Sequence, residues 1–351
     1  MPGFNREMLA LARESRGLTQ SEFAADVGIS QAEISKFENG VKVPSELQVE
    51  KLAHRLEYEV GFFFLDESIR AFGSGCVYHR KRKSATEAKL AHLLATVNVK
   101  RIQVKQLLKS VETRAGNSFE RLDVDEYKGG PQEIARAVRA LWQLPPGPVQ
   151  NLIRVIEDSG GIVIQCDFGT NKVDALSQWL PGYPPIFLVN SAIPTDRMRF
   201  TLSHEIGHIV MHRTPTENME READVFAAEF LMPEREIRPQ LGYIDIPRLA
   251  ALKPYWRVAM SALLYRASEL GTIDERRKSY LWFLMGKSGY RTHEPVEIAP
   301  EEPTSLKELI QVHKNSLHYG DADLDKTLLE RGAFAALRSG IGGSSLRLVG
   351  K

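Results

Sequence analysis

Apolar positions in the first 65 residues recur at helical spacing in short runs, separated by polar and glycine-containing turns. Three predicted helix starts carry the reciprocal capping pairs Thr19 with Glu22, Ser30 with Glu33, and Ser45 with Gln48. Leu9, Ala12, Phe23, Ala24, Val27, Ile29, Ile34, Leu47, Leu52 and Leu56 form the predicted core faces; Gly28 ends the second helix and Pro44 sets off the fourth. Two short helices joined by a tight glycine-containing turn are the helix-turn-helix pattern.

Further along, residues 84–114 alternate apolar and basic positions at helical spacing and predict a long linking helix. After Gly129-Gly130-Pro131 come predicted helices ending at Trp142 and at Gly160-Gly161, then strands over 162–166, 173–180 and 186–189. Pro194-Thr195-Asp196 starts a helix directly after the third strand, and an Ala- and Phe-rich helix from Glu220 stops at Pro233. Residues 258–271 and 274–287 predict a small helical lobe, 294–303 a linker rich in acids and prolines, and 304–338 two more helices before a flexible tail. The expected organisation is an all-α bundle over 1–68, a basic helical linker over 69–128, a mixed α+β domain over 129–290, and a C-terminal region over 291–351. The fold class is therefore multidomain and mainly α, with an α+β core.

The helix after the third strand carries chemistry: Thr201-Leu202-Ser203-His204-Glu205-Ile206-Gly207-His208 contains HExxH. On a helix His204 and His208 share a face one turn apart, so two imidazole nitrogens can close on one zinc ion. Glu205 points elsewhere, but it can reach a water in the site and take its proton. Downstream, Glu220 and Asp224 also lie one turn apart. That spacing suits a ligand carboxylate plus a second carboxylate that orients a ligand histidine through its other ring N–H. Glu222 projects elsewhere on that helix and is the alternative ligand. His212 follows His208 by another turn, and on a continuous helix it drifts too far round to meet the same ion. It is read as lying behind the ligands or on the substrate side. His212 and Tyr183 are candidate donors to an oxyanion.

Residues from about 130 to 291 resemble the ImmA/IrrE-type zinc metallopeptidases. The matching segments are Val173 to Ser177, Pro185 to Asn190, Arg199 to His208, Glu220 to Pro233, and Trp256 to Ala267. Ala175 stands where many relatives carry glycine. The resemblance implies a zincin-like peptidase core with zinc as cofactor, His204 and His208 as ligands, Glu220 as third ligand and Glu205 as general base. It suggests a repressor-type protein as substrate.

The N-terminal segment resembles the Cro/phage-repressor type of helix-turn-helix through Gly17 to Gln20, Ile34 to Gly40, and Pro44. This implies a double-stranded DNA operator as partner and residues 30–38 as the recognition helix. Gln31 would pair with adenine, while Gln20, Ser35 and Lys36 would hold phosphates. An Arg13–Glu38 pair inside the bundle and a homodimer are implied as well.

Charge changes this picture in one respect. The totals nearly cancel, 46 Lys plus Arg against 45 Asp plus Glu, but residues 1–72 carry about four more acids than bases. Basic residues concentrate next door, opening with His79-Arg80-Lys81-Arg82-Lys83, where they are expected to supply phosphate contacts that the bundle lacks. Cys76 and Cys166 lie far apart in no metal-binding spacing and are expected to be reduced thiols. No apolar run approaches membrane length and no signal sequence opens the chain, so a cytoplasmic protein without membrane contact is expected. The combined expectation is a bacterial transcriptional regulator with a zinc-dependent endopeptidase domain. Its rivals are a DNA-binding regulator whose zinc is structural or senses a ligand, and an antitoxin-like module that binds protein through the bundle.

Overall fold

The computed structural model describes residues 3–69, 87–111, 118–170, 172–332 and 334. The run Arg80-Lys81-Arg82-Lys83, Cys76 and the tail from residue 335 lie outside the described residues. The protein is mainly α, with one small sheet. Four helices open the chain: α1 (Arg6–Ser15), α2 (Gln20–Val27), α3 (Gln31–Glu38) and α4 (Glu46–Leu56). Local chemistry starts and stops them. Both halves of the capping box are present at Thr19/Glu22 and Ser45/Gln48, and Gly28 closes α2 in the left-handed conformation at φ 59°. At Ser30 only half of the expected box forms. Ser30 accepts from the Glu33 N–H, while the Glu33 carboxylate turns to Lys42 at 2.5 Å. A second correction concerns Leu47, predicted as core, which is 77 % exposed. In the first turn of α4 it faces outward, and Val49, Leu52 and Ala53 fill the interior instead.

The linking helix is α5 (Glu87–Leu108), and it is not a solvated tether. Ala95, Val99 and Ile102 complete the core of the N-terminal bundle beside Leu9, Phe23 and Phe37. Its other side, with Leu93, Val97, Val104 and Leu107, packs on the sheet. A helix apolar on both sides has to be covered on both. Two of its cations are covered too: Arg101 and Lys105 both bond the Glu67 carboxylate, and Arg101 is buried. These two are spent within the protein, contrary to a basic face open to phosphate.

Next come α6 (Gly130–Leu141), α7 (Leu152–Asp158), β1 (Ile162–Cys166), β2 (Ala175–Gln178) and β3 (Ile186–Asn190). The sheet order is β1-β3-β2, with β1 parallel and β2 antiparallel to β3, in register Ile162↔Ile186 and Ala175↔Val189. β2 is an edge strand and shorter than the predicted 173–180. One sheet face packs under α5; the other, through Val163, Phe187 and Val189, packs on α8 (Thr195–Met211) and α9 (Met219–Leu231). A short α10 (Glu234–Ile237), α11 (Ile246–Trp256), α12 (Met260–Glu269) and α13 (Glu275–Lys287) extend that second core. Finally α14 (Ser305–Asn315) and α15 (Asp321–Leu328) return to cover α5. Residues past α15 meet the N-terminal bundle, where Glu59 N–H donates to the Leu329 carbonyl at 3.0 Å and Arg331 N–H to the Glu57 carbonyl at 2.8 Å. No helix among the described residues is long and apolar enough to cross a membrane.

The predicted linker over 294–303 is a strap pinned by two carboxylates. Glu294 accepts from Lys253 at 2.6 Å and from the Met260 N–H at the start of α12 at 2.9 Å. Glu301, fully buried, accepts from the Leu152 and Ile153 N–H groups at the start of α7 and from the buried Arg199 of α8. Removing one partner of a buried pair leaves the other charged and unanswered. Glu301→Ala is therefore expected to cost about 3–5 kcal/mol, seen as a lower denaturant midpoint; a midpoint within error of wild type would show that Arg199 finds another partner.

Candidate metal centre

α8 and α9 cross where their side chains are smallest. A Cβ on Gly207 would lie 3.2 Å from Phe226 and 3.3 Å from Ala223, tight enough that a larger residue would push the helices apart. That approach lets Glu220, in the first turn of α9, reach the two imidazoles of α8. His204 Nε2 and His208 Nε2 are 2.9 Å apart. The Glu220 carboxylate lies 3.7 Å from the first and 3.4 Å from the second. Among the described residues, His204, His208 and Glu220 form the cluster whose potential ligand atoms all lie within 4.8 Å of one another.

The outward ring nitrogens have partners of their own. His204 Nδ1 is 2.8 Å from Asp224 Oδ1. A carboxylate only accepts, so the ring donates from Nδ1 and keeps its Nε2 lone pair for the centre. His208 Nδ1 is 2.9 Å from His212 Nδ1, and His212 Nε2 is 2.9 Å from Glu222 Oε2. α8 ends at Met211 and His212 leaves it in an extended conformation, so the expectation of a continuous helix there is corrected. Its N–H still bonds the His208 carbonyl at 3.0 Å, and Arg121 holds its own carbonyl at 2.9 Å. His212 and the alternative ligand Glu222 thus face each other behind the cluster rather than joining it. Burial pulls the His212 imidazole below its ordinary value, against the raising effect of its bond to Glu222. Two imidazole nitrogens and one carboxylate oxygen are a donor set that fits a zinc ion with a fourth position open.

Glu205 is fully buried on the same helix. Ser177 of β2 donates to its Oε2 at 2.5 Å, while Oε1 has no hydrogen-bond partner among the described residues. Burial pushes its carboxyl above the usual range, against the lowering influence of His208, His204 and the Ser177 bond. The edge strand therefore touches the carboxylate that could serve as base. Ser177 was not legible as a site residue, because nothing in local spacing ties position 177 to position 205. Tyr183, the other oxyanion candidate, lies in the β2–β3 loop with its ring under Lys105. A cleft of about 1050 Å³ opens along the first half of α8, walled by Phe200, Asp224, Val225, Tyr265 and Ile298. It meets the histidine cluster through Asp224.

The helix-turn-helix presents a second surface. Gln31 is exposed at the start of α3. Its amide donates to Gln20 at 2.9 Å, Gln20 donates to Glu38 at 2.7 Å, and Glu38 pairs with Arg13 at 2.6 Å. Gln20 thereby braces Gln31. Ser35 Oγ accepts from Asn39 at 3.2 Å, and Lys36 is exposed.

These two constructions define a helix-turn-helix protein that carries a metallopeptidase-like domain. Comparison with known families agrees for both domains. Residues 157–268 match the family described as the IrrE N-terminal-like domain, a peptidase family, and residues 9–63 match the helix-turn-helix family. The chain is a fusion of a helix-turn-helix domain with an ImmA/IrrE-type domain. No curated protein matches it.

Proposed function

We propose that the protein is a cytoplasmic transcriptional regulator that binds an operator through residues 1–68 and cuts a repressor-type protein through residues 129–290. The observation that carries the enzymatic half is the pairing of a three-donor cluster with a buried carboxylate oxygen that has no hydrogen-bond partner among the described residues. A zinc ion held by His204, His208 and Glu220 would polarise the scissile carbonyl and make a water acidic enough to react near neutral pH. Glu205, oriented by Ser177, would accept a proton from an attacking water and deliver it to the departing amine nitrogen. An extended segment of the substrate adds to the outer edge of β2, which lies next to Glu205. The cleft beyond Asp224 then receives side chains on one side of the cut. A closed structural zinc site would have no use for a carboxylate placed like Glu205.

On the DNA side, Gln31 is the base-reading residue and Lys36 a phosphate contact. Gln20 holds the Gln31 amide in one orientation, which favours two-point recognition of adenine. Two copies on a two-fold operator are the expected assembly.

Glu205→Gln keeps the side chain's size and removes its basicity. The variant is expected to bind zinc as wild type does and to lose about 10²–10⁴-fold in cleavage. The readout is the set of new protein N-termini in cells producing either form, together with the metal content of the purified chains. Identical sets of N-termini with zinc retained would exclude hydrolysis as the function. Gln31→Ala is expected to lose about 1–3 kcal/mol of discrimination at one adenine of the operator. Binding titrations against operators altered at single base pairs measure this, and an unchanged preference at every position would remove Gln31 from base reading.

A further inference from the structure

We infer that Glu222 and His212 are positioning residues that set the tautomer and ring orientation of His208, and so its readiness to hold the metal. This rests on the proposed metal centre and adds two residues to it. Glu222 is a carboxylate and can only accept, so the 2.9 Å contact with His212 Nε2 needs a proton on that nitrogen. A neutral imidazole with its proton on Nε2 has only an acceptor at Nδ1. The 2.9 Å contact between His212 Nδ1 and His208 Nδ1 then needs its proton on His208. With Nδ1 protonated, a neutral His208 carries its lone pair on Nε2, 2.9 Å from His204 Nε2 and 3.4 Å from Glu220; acceptors that close repel one another unless a cation lies between them, which is the place a metal would take. Each bond in the chain dictates the next, and the last leaves a metal-binding lone pair.

The backbone places this relay for the purpose. His212 has left α8, yet its N–H still bonds the His208 carbonyl, and Arg121 holds its carbonyl from outside the helix. The ring is thereby folded back on the residue four positions earlier. His204 reaches the same state by a shorter route, a direct bond to Asp224. The two ligand histidines are thus prepared independently, one by a carboxylate and one by a carboxylate acting through an imidazole.

The test uses the full chain with His212→Leu, His212→Gln and Glu222→Ala. Leucine fills space without hydrogen bonding. Glutamine can accept from His208 with its carbonyl and donate to Glu222 with its amide. Zinc affinity is read by competition with a chromophoric chelator, and the His208 tautomer by nitrogen-15 ring correlations in the metal-free protein. Wild type should show His208 protonated on Nδ1. His212→Leu and Glu222→Ala should shift that population toward the Nε2 tautomer and weaken zinc binding about 10- to 100-fold. His204 should stay unchanged in both. His212→Gln should recover most of the affinity, which a purely space-filling role would not allow. A His208 protonated on Nε2 in wild type, affinities within twofold across the series, or a glutamine variant no tighter than the leucine one would overturn the relay. Should His212→Leu not fold, Glu222→Ala, changed at a partly exposed residue, decides the matter by the same two readouts. A wild-type chain that binds no zinc defeats the metal centre itself; a wild type that binds it, with variants unaffected, defeats only the relay.

Discussion

The burial of α8 is the constraint on which the rest of the structure depends. From Leu202 to Met211 every residue of this helix is buried, and so are Asp196 and Arg199 before them. A helix in that position cannot leave polar groups to water, so its charged and ring groups draw partners from elsewhere in the chain. Asp196 draws Lys253 from α11, Arg199 draws Glu301 from the strap, and Glu205 draws Ser177 from the edge strand. His204 draws Asp224 from α9, while His208 draws His212 and through it Glu222. Much of the surrounding architecture can be understood as the set of answers to one buried amphipathic problem. Three buried side-chain atoms of this helix keep no hydrogen-bond partner among the described residues, Arg199 Nε, Ser203 Oγ and Glu205 Oε1, and of these only the last is a carboxylate oxygen.

A second consequence concerns how the two halves are joined. α5 contributes to the core of the N-terminal bundle on one side and to the sheet on the other. The chain past α15 also bonds to the bundle, and the Glu330 carboxylate there accepts from Gln103 of α5 at 2.5 Å. The helix-turn-helix and the metallopeptidase-like domain are therefore held by shared packing and not merely by chain connection. Shared packing transmits displacement in a way that a flexible tether cannot.

Much of this was legible along the chain. Helix starts at Thr19 and Ser45 and the stop at Gly28 depend on atoms within four residues, so the capping letters were sufficient. The HExxH spacing and the Glu220/Asp224 spacing each lie within one helix, where periodicity alone says which residues share a face. The misreadings share a different character. Leu47 has an apolar side chain but sits on the outward side of its turn. Glu33 had a better offer from Lys42 than from its own helix end. Lys105 and Arg101 look like a phosphate-binding face until Glu67, more than thirty positions away, is placed between them. His212 follows the spacing of a helix that has already ended.

What the sequence by itself determined was therefore local: where helices begin and end, that two histidines and a glutamate share one of them, and that two carboxylates one turn apart follow on another. The tertiary structure alone decided which of these groups meet. Gly207 and Ala223 let two helices approach until Glu220 reaches both imidazoles, and the edge strand brings Ser177 to Glu205. The end of α8 turns His212 back toward His208. The physical reason is one of range. Capping and periodicity act over a few residues and are written in adjacent letters, whereas a buried polar group is satisfied by whichever partner packing delivers, at any distance along the chain.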